Sequence, residues 1–138
     1  MNDVLAVIDM QNDFVSGSLG TKEAQAIVQN VVKKIETFSG NIVFTQDTHQ
    51  SSYLQSQEGM FLPVQHCIKN TEGWELVAPI KKLITDQVYE KPTFGSLLLA
   101  ESLKSLHERT PIHSITLIGL CTDICVVSNA LLLKAFFP

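Results

Sequence analysis

Two cysteines four positions apart, Cys121 and Cys125, sit where two apolar runs meet in GLCTDICVVSNA (119–130). The chemistry open to them is narrow. Three cysteines, with Cys67 as the third, is an odd number in a chain whose first residues carry no export signal. A disulfide framework is therefore disfavoured, and a reducing, cytoplasmic setting is expected. A helix beginning near residue 122 would put the pair about one turn apart, and bridging them would distort that turn. Two thiols are also too few ligands for a structural zinc. Packing or reactivity is what is left.

Thr122 or Asp123 can cap such a helix, which places Cys125 in its first turn. There the unpaired N–H groups and the positive dipole end favour an anion. A thiolate is one, and a lowered pKa makes a cysteine nucleophilic at neutral pH. An ammonium from Lys91 would lower the thiol further, and Asp9 could accept its proton. Local features alone leave a small buried cysteine as the other reading of Cys125. Cys121, closing a buried strand, is expected to pack.

A second constellation is QDTH (46–49). On extended chain Asp47 and His49 point to one side, and His66 in LPVQHC can return to them. A carboxylate with two imidazoles is a ligand set for zinc, manganese or iron that leaves positions open. Glu58 is the candidate fourth ligand. Spacing alone also fits a turn carrying surface histidines.

These residues need a scaffold that gathers them. Apolar periodicity gives strands at 4–9, 41–47, 87–91 and 114–120, and helices at 22–38, around 74–84, within 96–108 and at 122–136. Residues 48–73 read as one long irregular connection, of the kind that is functional in compact domains. Four strand-then-helix units predict an α/β fold, three layers deep, with a mainly parallel sheet and right-handed crossovers. In such sheets sites form at the carboxyl ends of strands. Asp9, Asp47 with His49, Lys91 and the Cys121–Cys125 stretch all fall there. Each alone is ordinary; their coincidence on one edge is not.

A length of 138 residues suits a single domain spanning 1–138. The net charge of −4 and the lack of any long basic block argue against a nucleic-acid or anionic-membrane partner. No apolar run approaches the roughly 20 residues of a membrane helix. The opening run VLAVID is interrupted by Asp9 and reads as a strand. The chain stops at KAFFP directly after its fourth helix, so one or two further C-terminal βα units are expected to be missing. A sheet edge left open in that way would invite pairing with another chain, and a homo-oligomer is among the expectations.

Taken together, IDMQNDF (8–14), TQDTHQ (45–50), LPVQHCI (62–68), EKPTFGS (90–96) and GLCTDICV (119–126) resemble the isochorismatase-like cysteine hydrolases. The resemblance runs from end to end and in order, and is strongest to the nicotinamidase/pyrazinamidase branch. It implies a catalytic triad of Asp9, Lys91 and Cys125, and one divalent metal at Asp47, His49 and His66. It also implies a cis peptide between Leu120 and Cys121, aiming the amides of Cys121 and Cys125 at an oxyanion. Phe14 and Phe94 match the aromatic walls around a flat ring. Some members carry a tryptophan where this chain has Pro63, so Leu62 or Trp74 is expected to supply that wall. The implied reaction converts nicotinamide, and pyrazinamide, to the acid and ammonia through a cysteine thioester. The partner is a small aromatic amide with its ring nitrogen at the metal. The rivals are a sister amidase acting on N-carbamoyl amides, which needs no metal, and an inactive interaction scaffold.

Overall fold

The computed structural model describes residues 2–138. Four parallel strands, β1 (Asn2–Ile8), β2 (Asn41–Asp47), β3 (Val88–Lys91) and β4 (Ile112–Gly119), form one sheet in the order β3-β2-β1-β4. The helices are α1 (Asn12–Val15), α2 (Lys22–Thr37), α3 (Gln57–Phe61), α4 (Ala78–Lys81), α5 (Leu97–Arg109) and α6 (Val127–Phe136). This is the three-layer α/β architecture that the strand and helix pattern predicts.

The sheet separates two cores because successive side chains of a strand point to opposite faces. Leu5 and Val7 of β1 face α2 and α4, where they meet Val31, Ile35 and Ile80. Val4, Ala6 and Ile8 face α5 and α6, where they meet Leu99, Leu103 and Leu133. All five β1 side chains are at most 1% exposed. Burying each large aliphatic one is worth about 1.5–3 kcal/mol, which is why this strand lies in the middle.

Local signals set the helix ends. Thr21 accepts a hydrogen bond from the Ala24 N–H at the start of α2, and Ser96 accepts one from the Leu99 N–H at the start of α5. Gly40 turns the chain into β2 with φ +155°, a conformation costly for any other residue. Gly119 has φ +121°, and a side chain there would collide with the Ile8 backbone. The ends of β1 and β4 therefore close on one another.

Two sequence expectations change. The helix expected around 74–84 shrinks to α4, because the preceding backbone is committed elsewhere. Gly73 and Glu75 carbonyls accept from the Asp13 and Asn12 N–H groups, the Val77 N–H donates to Met10, and Leu76 bridges Gln11. The connection after β2 is more regular than expected: a short 3₁₀ turn (Tyr53–Gln55) leads into α3, whose first turn is capped by Ser56. Among the described residues no helix is long and apolar enough to cross a membrane.

Candidate active site

Strand order places the candidate residues. The chain moves outward from β1 to β3, then crosses back over the sheet to β4, so β1 and β4 flank the point where the winding reverses. Ligand crevices form at such points. Asp9 follows β1, Lys91 ends β3, and a widened turn of π type (Thr122–Val126) carries Cys125 after β4. Widened turns of this kind are frequent at functional sites.

These three residues meet in the interior. Lys91 Nζ lies 2.8 Å from Asp9 Oδ2 and 3.5 Å from Cys125 Sγ, with Lys91 1% and Asp9 0% exposed. Asp9 Oδ1 accepts a 2.7 Å hydrogen bond from the Thr45 hydroxyl. Asp9 Oδ2 is the oxygen that pairs with the ammonium. Asp9 adopts φ +49°, a left-handed conformation uncommon outside glycine, held by hydrogen bonds from its N–H to Thr45.

Burial sets the protonation of this cluster. It pushes the Asp9 carboxyl above the usual range, and the Lys91 charge offsets only part of that. Burial opposes the Lys91 ammonium too, but Asp9 and Asp47 outweigh it and raise the Lys91 pKa. The Cys125 thiol is likewise pushed up by burial and then by the Asp9 charge, with Lys91 acting against both. This reverses the expectation of a thiol lowered by a helix start. Neither Thr122 nor Asp123 caps the turn: the N-cap is Cys121, with no side-chain hydrogen bond. Burial thus favours the neutral thiol over the thiolate.

Asp47, His49 and His66 converge alongside, all three buried. His49 Nε2 is 2.9 Å and His66 Nε2 3.4 Å from Asp47 Oδ2. Burial opposes ionisation of Asp47, yet hydrogen bonds from both imidazoles and the Lys91 charge hold its carboxyl well below the ordinary range. Glu58 Oε2 lies 3.4 Å from His49 Nε2 and 3.8 Å from His66 Nε2, buried and without a hydrogen-bond partner among the described residues. The ligand atoms of Asp47, His49 and His66 all lie within 4.8 Å of one another, close enough for one ion to be shared by the three with a position left open. The donor set and the orphaned carboxylate oxygen fit a divalent ion.

Asp47 belongs to both groups, because its Oδ1 lies 3.3 Å from Lys91 Nζ. Over them opens a chamber of about 190 Å³ lined by Phe14, Leu19, Asp47, Leu62, His66, Phe94, Cys121, Ile124 and Cys125. Phe14, Phe94 and Leu62 are among these lining residues, and the Leu120–Cys121 bond is cis. Trp74 is not in the lining. Its indole N–H donates to Thr48 and its carbonyl accepts from Gln11 and Gln46, so it acts as a brace.

Sequence reasoning missed Leu19, Ile124, Thr45, Gln11 and Asn129. Asn129 carries a faint signal, a lone amide in an apolar helix one turn after Cys125. Its Oδ1 accepts from the Ser96 N–H, while Nδ2 donates to the carbonyls of Phe94 and Cys125.

A family model for the isochorismatase domain matches residues 3–136. The chain belongs to the isochorismatase family. Among solved relatives, a nicotinamidase/pyrazinamidase from Bacillus subtilis is 30% identical with a TM-score of 0.74, covering 95% of this chain and 78% of that one. A pyrazinamidase from Pyrococcus horikoshii, in complex with zinc, is 26% identical with a TM-score of 0.80, covering 99% and 80%. An N-carbamoylsarcosine amidase from Thermoplasma acidophilum is 30% identical with a TM-score of 0.79, covering 95% and 75%. All three are named as amidases.

Proposed function

We propose that this protein hydrolyses nicotinamide, and related aromatic amides such as pyrazinamide, to the acid and ammonia through a thioester on Cys125. The observation that carries this reading is the meeting of Asp9, Lys91 and Cys125 against a small chamber with two aromatic walls. At about 190 Å³ the chamber lies below the 300–1,000 Å³ usual for drug-sized ligands, which suits a single ring. The likeness to the Bacillus subtilis and Pyrococcus horikoshii enzymes supports the substrate class.

Phe14 and Phe94 hold the ring so that the carboxamide carbon lies over Cys125 Sγ. Asp9 Oδ2 takes the thiol proton, and Lys91 stabilises the thiolate as it forms. Sulfur attacks the carbon, and the amides of Cys121 and Cys125 receive the oxyanion. Asp9 then returns its proton to the departing nitrogen, the C–N bond breaks, and ammonia leaves a thioester. Asp9 next draws a proton from water, whose oxygen attacks the thioester. Collapse releases the acid, and the Cys125 sulfur regains its proton from Asp9. A base of raised pKa is suited to this traffic, since proton transfer both ways is easiest near the working pH.

Asp47, His49, His66 and Glu58 are the residues to hold a divalent ion. Such an ion would supply a Lewis-acidic position for a ring nitrogen. Likeness to the N-carbamoylsarcosine amidase favours a second reading, hydrolysis of an N-carbamoyl amide at the same cysteine. The buried histidine and carboxylate set weighs against it. Ammonia release from nicotinamide and from N-carbamoylsarcosine, each with and without chelator, separates the two. Chelator-sensitive release from nicotinamide is expected; chelator-insensitive release from N-carbamoylsarcosine alone would install the second reading.

A further inference from the structure

β2 extends further than its neighbour β1. The β1–β2 ladder ends at Val7 and Phe44, and at Asp9 the chain leaves the sheet direction with φ +49°. The last residue of β2, Asp47, still pairs with Lys91 of β3 on its other side. On the β1 side, its peptide groups would be left in the interior without a strand.

The Gln11 side chain fills that gap. It is fully buried, and its Oε1 accepts from the Asp47 N–H at 2.8 Å while its Nε2 donates to the Asp47 carbonyl at 2.8 Å. One primary amide thus supplies the acceptor and donor that a strand residue would have offered. The second Nε2 hydrogen donates to the Trp74 carbonyl at 2.9 Å, so both of its donor hydrogens are engaged. The Gln11 N–H in turn donates to the Asp9 carbonyl at 2.8 Å. A single residue ties the Asp9 segment to the residue whose carboxylate meets His49 and His66 with one oxygen and Lys91 with the other.

We propose that Gln11 is the positioning residue that fixes Asp47 against the two metal histidines and Lys91 together, and so aligns the metal set with the Cys125 cluster. This rests on the reading that Asp47, His49 and His66 hold a divalent ion. Gln11 itself belongs neither to the chamber lining nor to the ligand cluster. Outer partners that orient a metal ligand typically contribute 10- to 100-fold to metal affinity or activity, and a clamp on both sides of the ligand's peptide belongs in that range.

The test is zinc affinity, measured on metal-free protein by competition with a chromogenic chelator, for wild type, Gln11→Met and Gln11→Glu. Methionine keeps length and removes all three hydrogen bonds; glutamate keeps the acceptor and removes the donors. Val31→Ala, a core truncation in α2, reports what loss of stability alone does. Zinc binding about 10- to 100-fold weaker in a Gln11 variant, with Val31→Ala at the wild-type value, is the expected result. Gln11→Glu carries the test if Gln11→Met does not fold. Zinc affinity in a folded Gln11 variant matching Val31→Ala and wild type would overturn the assignment and leave the metal reading intact. Failure of the wild type to bind zinc would overturn both.

Discussion

Lys91 Nζ stands 2.8 Å from Asp9 Oδ2 in a setting where neither side chain is more than 1% exposed. An ion pair removed so completely from water persists only with further partners. Here they are Thr45 on the acid and Asp47, Cys125 and the Thr93 carbonyl around the ammonium. The cluster holds a proton donor, a proton acceptor and a counter-charge within one hydrogen-bonded contact shell.

Breaking that pair has a cost and a pH signature. Lys91→Met leaves two buried carboxylates without their cation, and removing one partner of such a pair destabilises by about 3–5 kcal/mol. The loss should shrink at acid pH, because Asp9, already pushed upward by burial, then takes up a proton and sheds its charge. Urea unfolding of the variant and wild type at pH 5 and pH 8 measures this. Equal losses at both values would contradict the charge account.

The pH profile follows from the same base. Asp9 accepts the thiol proton only when ionised, and its folded pKa lies above the ordinary carboxylate value of 3.8. The sign is fixed: activity is present above that folded pKa and is lost as pH falls through it. At saturating zinc, kcat/KM for nicotinamide should therefore decline on the acid side with a midpoint above 3.8. A midpoint at or below that value, with zinc still bound, would remove Asp9 from the role of base.

Asn129→Leu tests the brace between the aromatic wall and the nucleophile turn. It removes hydrogen bonds to Ser96, Phe94 and Cys125 in a site 1% exposed. Leaving such groups unpaired costs about 1–3 kcal/mol, and KM should rise because Phe94 loses its tether. Denaturant unfolding and steady-state kinetics together check it.

How much of this was legible in the sequence depends on what each residue does. β1, β2, α2 and α5 follow from apolar periodicity, since burial on one face or two leaves a plain pattern. Asp9, Asp47, Lys91 and Cys125 stand out because reactive types recur at strand ends. Gln11, Thr45 and Asn129 do not, because an amide or hydroxyl that merely holds backbone looks like any polar residue. The helix expected around 74–84 failed for a related reason: its carbonyls and the Val77 amide serve the Met10–Asp13 segment, a long-range demand that local propensity does not register. A helix start shows in sequence, whereas the 4% exposure of Cys125 and its nearness to Asp9, which push the thiol up, do not.

The most direct measurement is intact-protein mass spectrometry of zinc-loaded wild type and Cys125→Ala, quenched with acid during turnover of nicotinamide. The mechanism predicts a nicotinoyl adduct on Cys125 in wild type. Cys125→Ala should show no adduct and a turnover loss of roughly 10⁴- to 10⁶-fold, as expected when a covalent nucleophile is deleted. Ammonia release by Cys125→Ala at a rate comparable to wild type would contradict it.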